Sequence, residues 1–80
     1  MKTFHLTITD ITSAVFDGNA QSLSCTGALG DMVVLAGHMP LVITLKPGVI
    51  RVTGANGEKR EFPATGGILE VTAKGATVLL

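Results

Sequence analysis

Two prolines bracket the apolar segment Leu41-Val42-Ile43-Thr44-Leu45, and they constrain this chain more than any other feature. Pro40 fixes its own φ and holds Met39 extended, so the backbone must turn near His38. On the far side, Lys46-Pro47-Gly48-Val49 places Pro second and Gly third. That is the order of a type II turn, whose third residue alone needs φ > 0. The run between the prolines is short and β-branched, which predicts a strand buried on most of its surface. Val49 to Thr53 predicts a second strand and completes a stiff hairpin. Its apolar side chains point to both faces, so one face can fill a core and the other calls for a partner.

The rest of the chain is strand-like as well. Phe4, Leu6 and Ile8 alternate with polar residues and predict a strand from about Lys2 to Thr9. Ala14-Val15-Phe16 predicts a short strand, with Asp17-Gly18 as a hairpin turn signal. Ala20 to Cys25 follows, with Leu23 and Cys25 on its core face and Ser22 and Ser24 opposite. Thr26 to Asp31 contains two glycines and predicts a loop with Leu29 at its tip. Met32 to Ala36 is an apolar strand.

Asn56-Gly57 suggests a two-residue turn. That register would set Val52 against Glu61 and Arg51 against Phe62. A three-residue loop, Ala55-Asn56-Gly57, instead sets Ile50 against Phe62, Arg51 against Glu61 and Val52 against Arg60. Register follows burial of the apolar set, so the longer loop is predicted, with Gly57 left-handed. Pro63 marks an edge strand or bulge. Ile68 to Thr72 alternates, with Leu69 and Val71 on one face and Ile68, Glu70 and Thr72 on the other. Lys74-Gly75 is a turn, and Thr77 to Leu80 a last strand. No stretch shows a helical period. Residues 1–80 are therefore expected to form one all-β domain. The expected architecture is an antiparallel β-sandwich or flattened barrel of about eight to ten short strands.

Composition narrows the function. A net charge of zero and 15% charged residues argue against a nucleic-acid binder, which needs a basic face. Three Phe and no Trp or Tyr offer few stacking platforms. Met32 to Leu45 is too short and interrupted to span a bilayer as a helix. Met1 to His5 lacks the apolar centre of a signal peptide. A single cysteine excludes an internal disulfide, and a soluble intracellular protein is expected. No catalytic constellation is visible either. His5 lies on the polar face of its strand, and His38 at a turn. Cys25 is expected in the core as a small apolar residue. No Cys or His spacing suits a metal. Gly54 to Lys59 lacks the spacing of a phosphate loop and leads into a strand. Around Gly30-Asp31 two readings stand: Leu29 folds back over the end of the sandwich, or it is the apolar tip of a contact loop whose register Asp31 sets.

Several pieces together carry a family resemblance. They are Gly37-His38-x-Pro40-Leu41, Leu45-Lys46-Pro47-Gly48-x-Ile50-Arg51, Gly66-Gly67-x-Leu69-Glu70-Val71, Val78-Leu79 and Cys25-Thr26-Gly27. The chain resembles the N-terminal domain of the epsilon subunit of F-type ATP synthases, called delta in mitochondria. The resemblance implies a non-catalytic rotor part at the foot of the central stalk, peripheral to the cytoplasmic face of the membrane. It implies that His38, Met39, Pro40 and Val42 face the gamma subunit. It implies that Ala28, Leu29, Gly30, Asp31 and Met32 face the polar loops of the c-ring. Leu29 and Val33 depart from residues common in the family. Family members often continue into a C-terminal helical hairpin that inhibits hydrolysis and in some species binds ATP. Because these residues stop at Leu80, neither inhibition by that route nor ATP binding is expected of them, and no cofactor is implied. The competing reading is a free-standing β-sandwich that binds a small ligand or self-assembles. A rotor part should show an exposed apolar patch from Met39 to Val42 and no deep pocket. A ligand binder should show a pocket with converging polar groups.

Overall fold

The computed structural model describes residues 2–80. Eight strands follow one another: β1 (Phe4–Thr9), β2 (Ala14–Gly27), β3 (Gly30–Leu35), β4 (Leu41–Leu45), β5 (Gly48–Gly54), β6 (Lys59–Ala64), β7 (Gly67–Thr72) and β8 (Gly75–Leu79). The described residues contain no helix. Hydrogen-bonded neighbours run β1-β8-β7-β4-β2-β5-β6; β3 joins β2, and β1 also closes onto β2. Strands β1, β8, β7, β4 and β2 thus form a ring, and β3, β5 and β6 extend from β2. The result is an all-β flattened barrel. Its pairings are antiparallel except for β1 with β8.

Alternation builds the core. Leu6 and Ile8, Leu23 and Cys25, Ile50 and Val52, Leu69 and Val71, and Ala76 and Val78 each contribute two inward residues from one strand, and they meet in a single cluster. Intervening residues face out, as the two-residue period of a strand requires. The β5–β6 hairpin has the expected register, with Ile50 opposite Phe62, Arg51 opposite Glu61 and Val52 opposite Arg60. Gly54 N–H donates to the Glu58 carbonyl at 2.7 Å, which leaves a loop of Ala55, Asn56 and Gly57; Gly57 has φ +86°. Arg60 does not enter the core: its guanidinium lies over the rings of Phe16 and Phe62, 5.5 and 5.3 Å from their centres. β6 is an edge strand, as Pro63 requires.

Three expectations need correction. First, Asp17-Gly18 does not turn. β2 runs through it, with Asp17 opposite Thr7 and Gly18 opposite Leu6. The ladder with β1 overrides a local turn preference, a common outcome for strand propensities. The bend falls later, at the bulge between Ala20 and Ser22 in the pairing with β5. It lets one long strand serve β1 with its first half and β3 and β5 with its second.

Second, β4 and β5 form no hairpin. β4 pairs with β7, whereas β5 pairs with β2 and β6. Gly48 is not among the glycines with positive φ, so the type II turn is absent, and Gly48 opens β5 opposite Ala64. The Lys46 N–H is held by the Thr26 carbonyl at 2.9 Å. Pro47 then supplies no donor, and the chain passes from its place beside β7 to the place between β2 and β6. Third, β4 is buried on one face only. Leu45 is buried and Leu41 and Ile43 are half-buried, but Val42 and Thr44 are exposed. Among the described residues no element packs over Val42 on the outer face of β4, which is 69% exposed.

Candidate interaction surfaces

The tip between β2 and β3 is tighter than the six-residue loop expected. Gly27 pairs with Gly30, so only Ala28 and Leu29 make the turn, and Gly30 supports it with φ +125°. The Ala28 N–H is anchored to the Thr44 carbonyl of β4 at 2.9 Å. Leu29 is 94% exposed and does not fold back over the barrel end. Directly below it, the Thr26 hydroxyl donates to Asp31 Oδ1 at 3.0 Å. Asp31 stands on the outer face. Met32 turns to the inner face and is half-buried, with its Sδ close to Gly27. Of the five expected tip residues, Leu29 and Asp31 therefore present the most distinctive side chains to a partner.

The second surface begins at the turn after β3. The His38 N–H donates to the Leu35 carbonyl at 3.1 Å, which turns the chain before Pro40. His38 Nδ1 lies 2.7 Å from the Met39 carbonyl, a contact that needs the proton on Nδ1. Met39 and Val42 are 77% and 69% exposed, and Pro40 is exposed beside them. Val42 continues onto neighbouring strands, because it lies opposite Glu70 while Thr44 lies opposite Ile68 and Ile68 opposite Leu79. Ile68 and Leu79 are both exposed apolar residues on this face. Sequence alternation assigned Ile68 to an outer face but carried no sign that it would share that face with Val42 and Leu79.

The side-chain ion contacts among the described residues lie on the surface. His5 contacts Asp17 at 2.9 Å and Arg51 contacts Glu61 at 2.8 Å, all four on the surface. Asp10 caps its own turn: the Ser13 and Thr12 N–H groups and the Thr12 hydroxyl hold its carboxyl below the ordinary range. Burial pushes the Cys25 thiol up, as a core position should. Among the described residues no three His, Cys, Asp or Glu side chains gather as metal ligands. A cleft of about 260 Å³ lies where β1, the turn after β3 and the β7–β8 turn meet, with Phe4, His5, Leu35, His38 and Lys74 on its walls. It falls below the usual size of a small-molecule site.

Against known families, the model of the ATP synthase delta/epsilon chain β-sandwich domain matches residues 3–80. The chain belongs to this family. Curated relatives agree with that assignment. The ATP synthase epsilon chain of Rhodopseudomonas palustris strain BisB5 is 42% identical over 99% of this chain and 58% of its own length. That of Xanthomonas euvesicatoria is 40% identical over all of this chain and 57% of its own. The chain thus spans a little over half of those relatives, the part that forms the epsilon-type β-sandwich.

Solved structures give the same fold. A chain of the Euglena gracilis mitochondrial ATP synthase, in an assembly described as OSCP, F1 and c-ring, superposes with a TM-score of 0.89 at 26% identity. It covers 96% of this chain and 49% of its own. A chain of the Tetrahymena thermophila mitochondrial ATP synthase central stalk and c-ring has a TM-score of 0.77 at 16% identity, over 98% and 63%, and bears on the fold alone.

Proposed function

We propose that this β-sandwich is a non-catalytic part of an ATP synthase rotor and bridges the gamma subunit to the c-ring. The observation that carries the reading is the disposition of two exposed surfaces about one stiff strand pair. At one end of β3 stand Leu29 and Asp31; beyond its other end stand Met39 and Pro40, and the chain returns along β4 with Val42 exposed on its outer face. Met39 and Val42 show apolar surface that an isolated domain has no reason to keep, which fits a packing face for gamma. Leu29 with Asp31 offers one apolar tip and one fixed negative charge, which fits polar loops carrying amides or basic groups. Short turns and continuous ladders between the surfaces suit a part that must pass torque without yielding. The small cleft and the dispersed titratable groups favour this reading over a ligand-binding sandwich. As a piece of the synthase it would sit at the membrane through the c-ring, on the cytoplasmic side.

Titration calorimetry with the gamma subunit of the same organism tests the gamma half. Val42→Asp places a charge in the centre of the apolar face and is expected to weaken binding roughly a hundredfold. Equal binding by both proteins would move the gamma contact elsewhere.

A further inference from the structure

The sheet has two free edges, and they differ. In β6 the Gly54–Glu58 hydrogen bond marks a bonded pair, so by antiparallel alternation Arg60, Phe62 and Ala64 bond to β5. Lys59, Glu61 and Pro63 then turn their backbone groups outward. Pro63 has no N–H, and the other two outward positions, Lys59 and Glu61, carry charges, so this edge is blunted against pairing.

β3 has no such protection. A two-residue turn makes its flanking pair, Gly27 and Gly30, a bonded pair. Two other contacts fit this phase: the Thr26 carbonyl and the Ala28 N–H both point the other way, to Lys46 and Thr44 of the β4 side. Alternation then gives Met32 and Val34 to β2 and turns Asp31, Val33 and Leu35 outward. Among the described residues no strand pairs with that outer edge. The Leu35 carbonyl is taken by the His38 N–H, whereas no strand takes up the groups of Asp31 and Val33 or the Leu35 N–H. The side chains at these positions add to the picture: Val33 and Leu35 are 54% and 53% exposed, and Asp31 is the only charge on the strand. A largely apolar edge without proline is a template for another strand.

We propose that the free edge of β3 takes up an extended segment of the partner by strand addition. The segment would be apolar at alternate positions, to lie with Val33 and Leu35. The inference rests on the rotor reading, and the occupant is then a segment of gamma. β3 leads directly into the Gly37–Val42 surface, so a strand here extends that contact without a break. Backbone pairing would give affinity that side-chain substitutions on the apolar face leave partly intact.

The test combines hydrogen exchange and calorimetry on the chain with gamma. Val33→Pro removes an outward N–H that no internal ladder uses, so the fold should persist by circular dichroism. Binding to gamma is expected to weaken roughly tenfold, and the amides of Val33 and Leu35 in the unaltered chain should slow their exchange only when gamma is bound. If the unaltered chain binds gamma while both amides exchange freely, the strand addition is wrong and the rotor reading stands. If the unaltered chain does not bind gamma, both fall. If the chain alone sediments as a dimer that Val33→Pro dissociates, the edge belongs to a second copy and the assignment to gamma is overturned.

Discussion

The Thr26 hydroxyl donates to Asp31 Oδ1 across the base of the β2–β3 turn, at 3.0 Å. The two residues are directly opposite, and neither bonds the other's backbone, which is the arrangement that brings side chains closest in an antiparallel pair. The acid beneath Leu29 is thereby held in one orientation while remaining in water.

A charge that is exposed and held should matter more for docking than for folding. Asp31→Asn keeps an acceptor for Thr26 and removes the charge. Its stability by urea unfolding is expected to stay within about 0.5 kcal/mol of the parent. The rate of association with the c-ring loops should fall and lose salt dependence. A large loss of stability would mean the carboxylate is structural.

Leu69 is fully buried and Leu29 is almost fully exposed. Leu69→Ala should cost about 2–5 kcal/mol of unfolding free energy through lost burial and a residual cavity. Leu29→Ala should change it by less than about 0.5 kcal/mol. Urea midpoints of the two variants separate the core from the contact surface.

Two glycines carry different requirements. Gly57 has φ +86° with open space around it, so Gly57→Ala should cost only about 1 kcal/mol of backbone strain. A side chain at Gly75, where φ is +141°, would press directly on the His5 carbonyl. Gly75→Ala should therefore destabilise by more than Gly57→Ala and loosen the β1–β8 pairing, which thermal unfolding and amide exchange on β1 would register.

Asp10 and Cys25 give opposite pH limbs. The folded state depresses the Asp10 pKa, so its contribution is present above the ordinary value of 3.8 and is lost as pH falls through the folded value. Asp10→Asn should flatten the acid limb of stability. Burial raises the Cys25 pKa, so folding favours the neutral thiol. Stability should decline as pH rises past the ordinary thiol value, and Cys25→Ala should remove that decline while costing core packing. Chemical denaturation across pH reads both.

Most of the fold is legible in the sequence where one face of a strand is buried. The residue pattern alone pairs Ile50 with Phe62, because a one-residue slip would bury Arg51. Alternation alone places Leu69 and Val71 inward. Local turn signals are less dependable. Asp17-Gly18 is absorbed into a ladder with β1, and Pro47-Gly48 becomes a crossing from β7's neighbour to β2's, because long-range pairing decides both. The contact residues come from family resemblance, and the structure adds what no residue pattern displays: the outer face that Val42 shares with Ile68 and Leu79, and the free edge of β3.

The central claim is that two ends of one sandwich meet two different subunits. Site-specific photocrosslinking in the assembled synthase addresses it directly, with a benzophenone side chain placed at Leu29 in one protein and at Met39 in another. The account predicts a product with subunit c from the first position and with gamma from the second. Both probes capturing the same subunit, or Leu29 capturing gamma and Met39 subunit c, would contradict it.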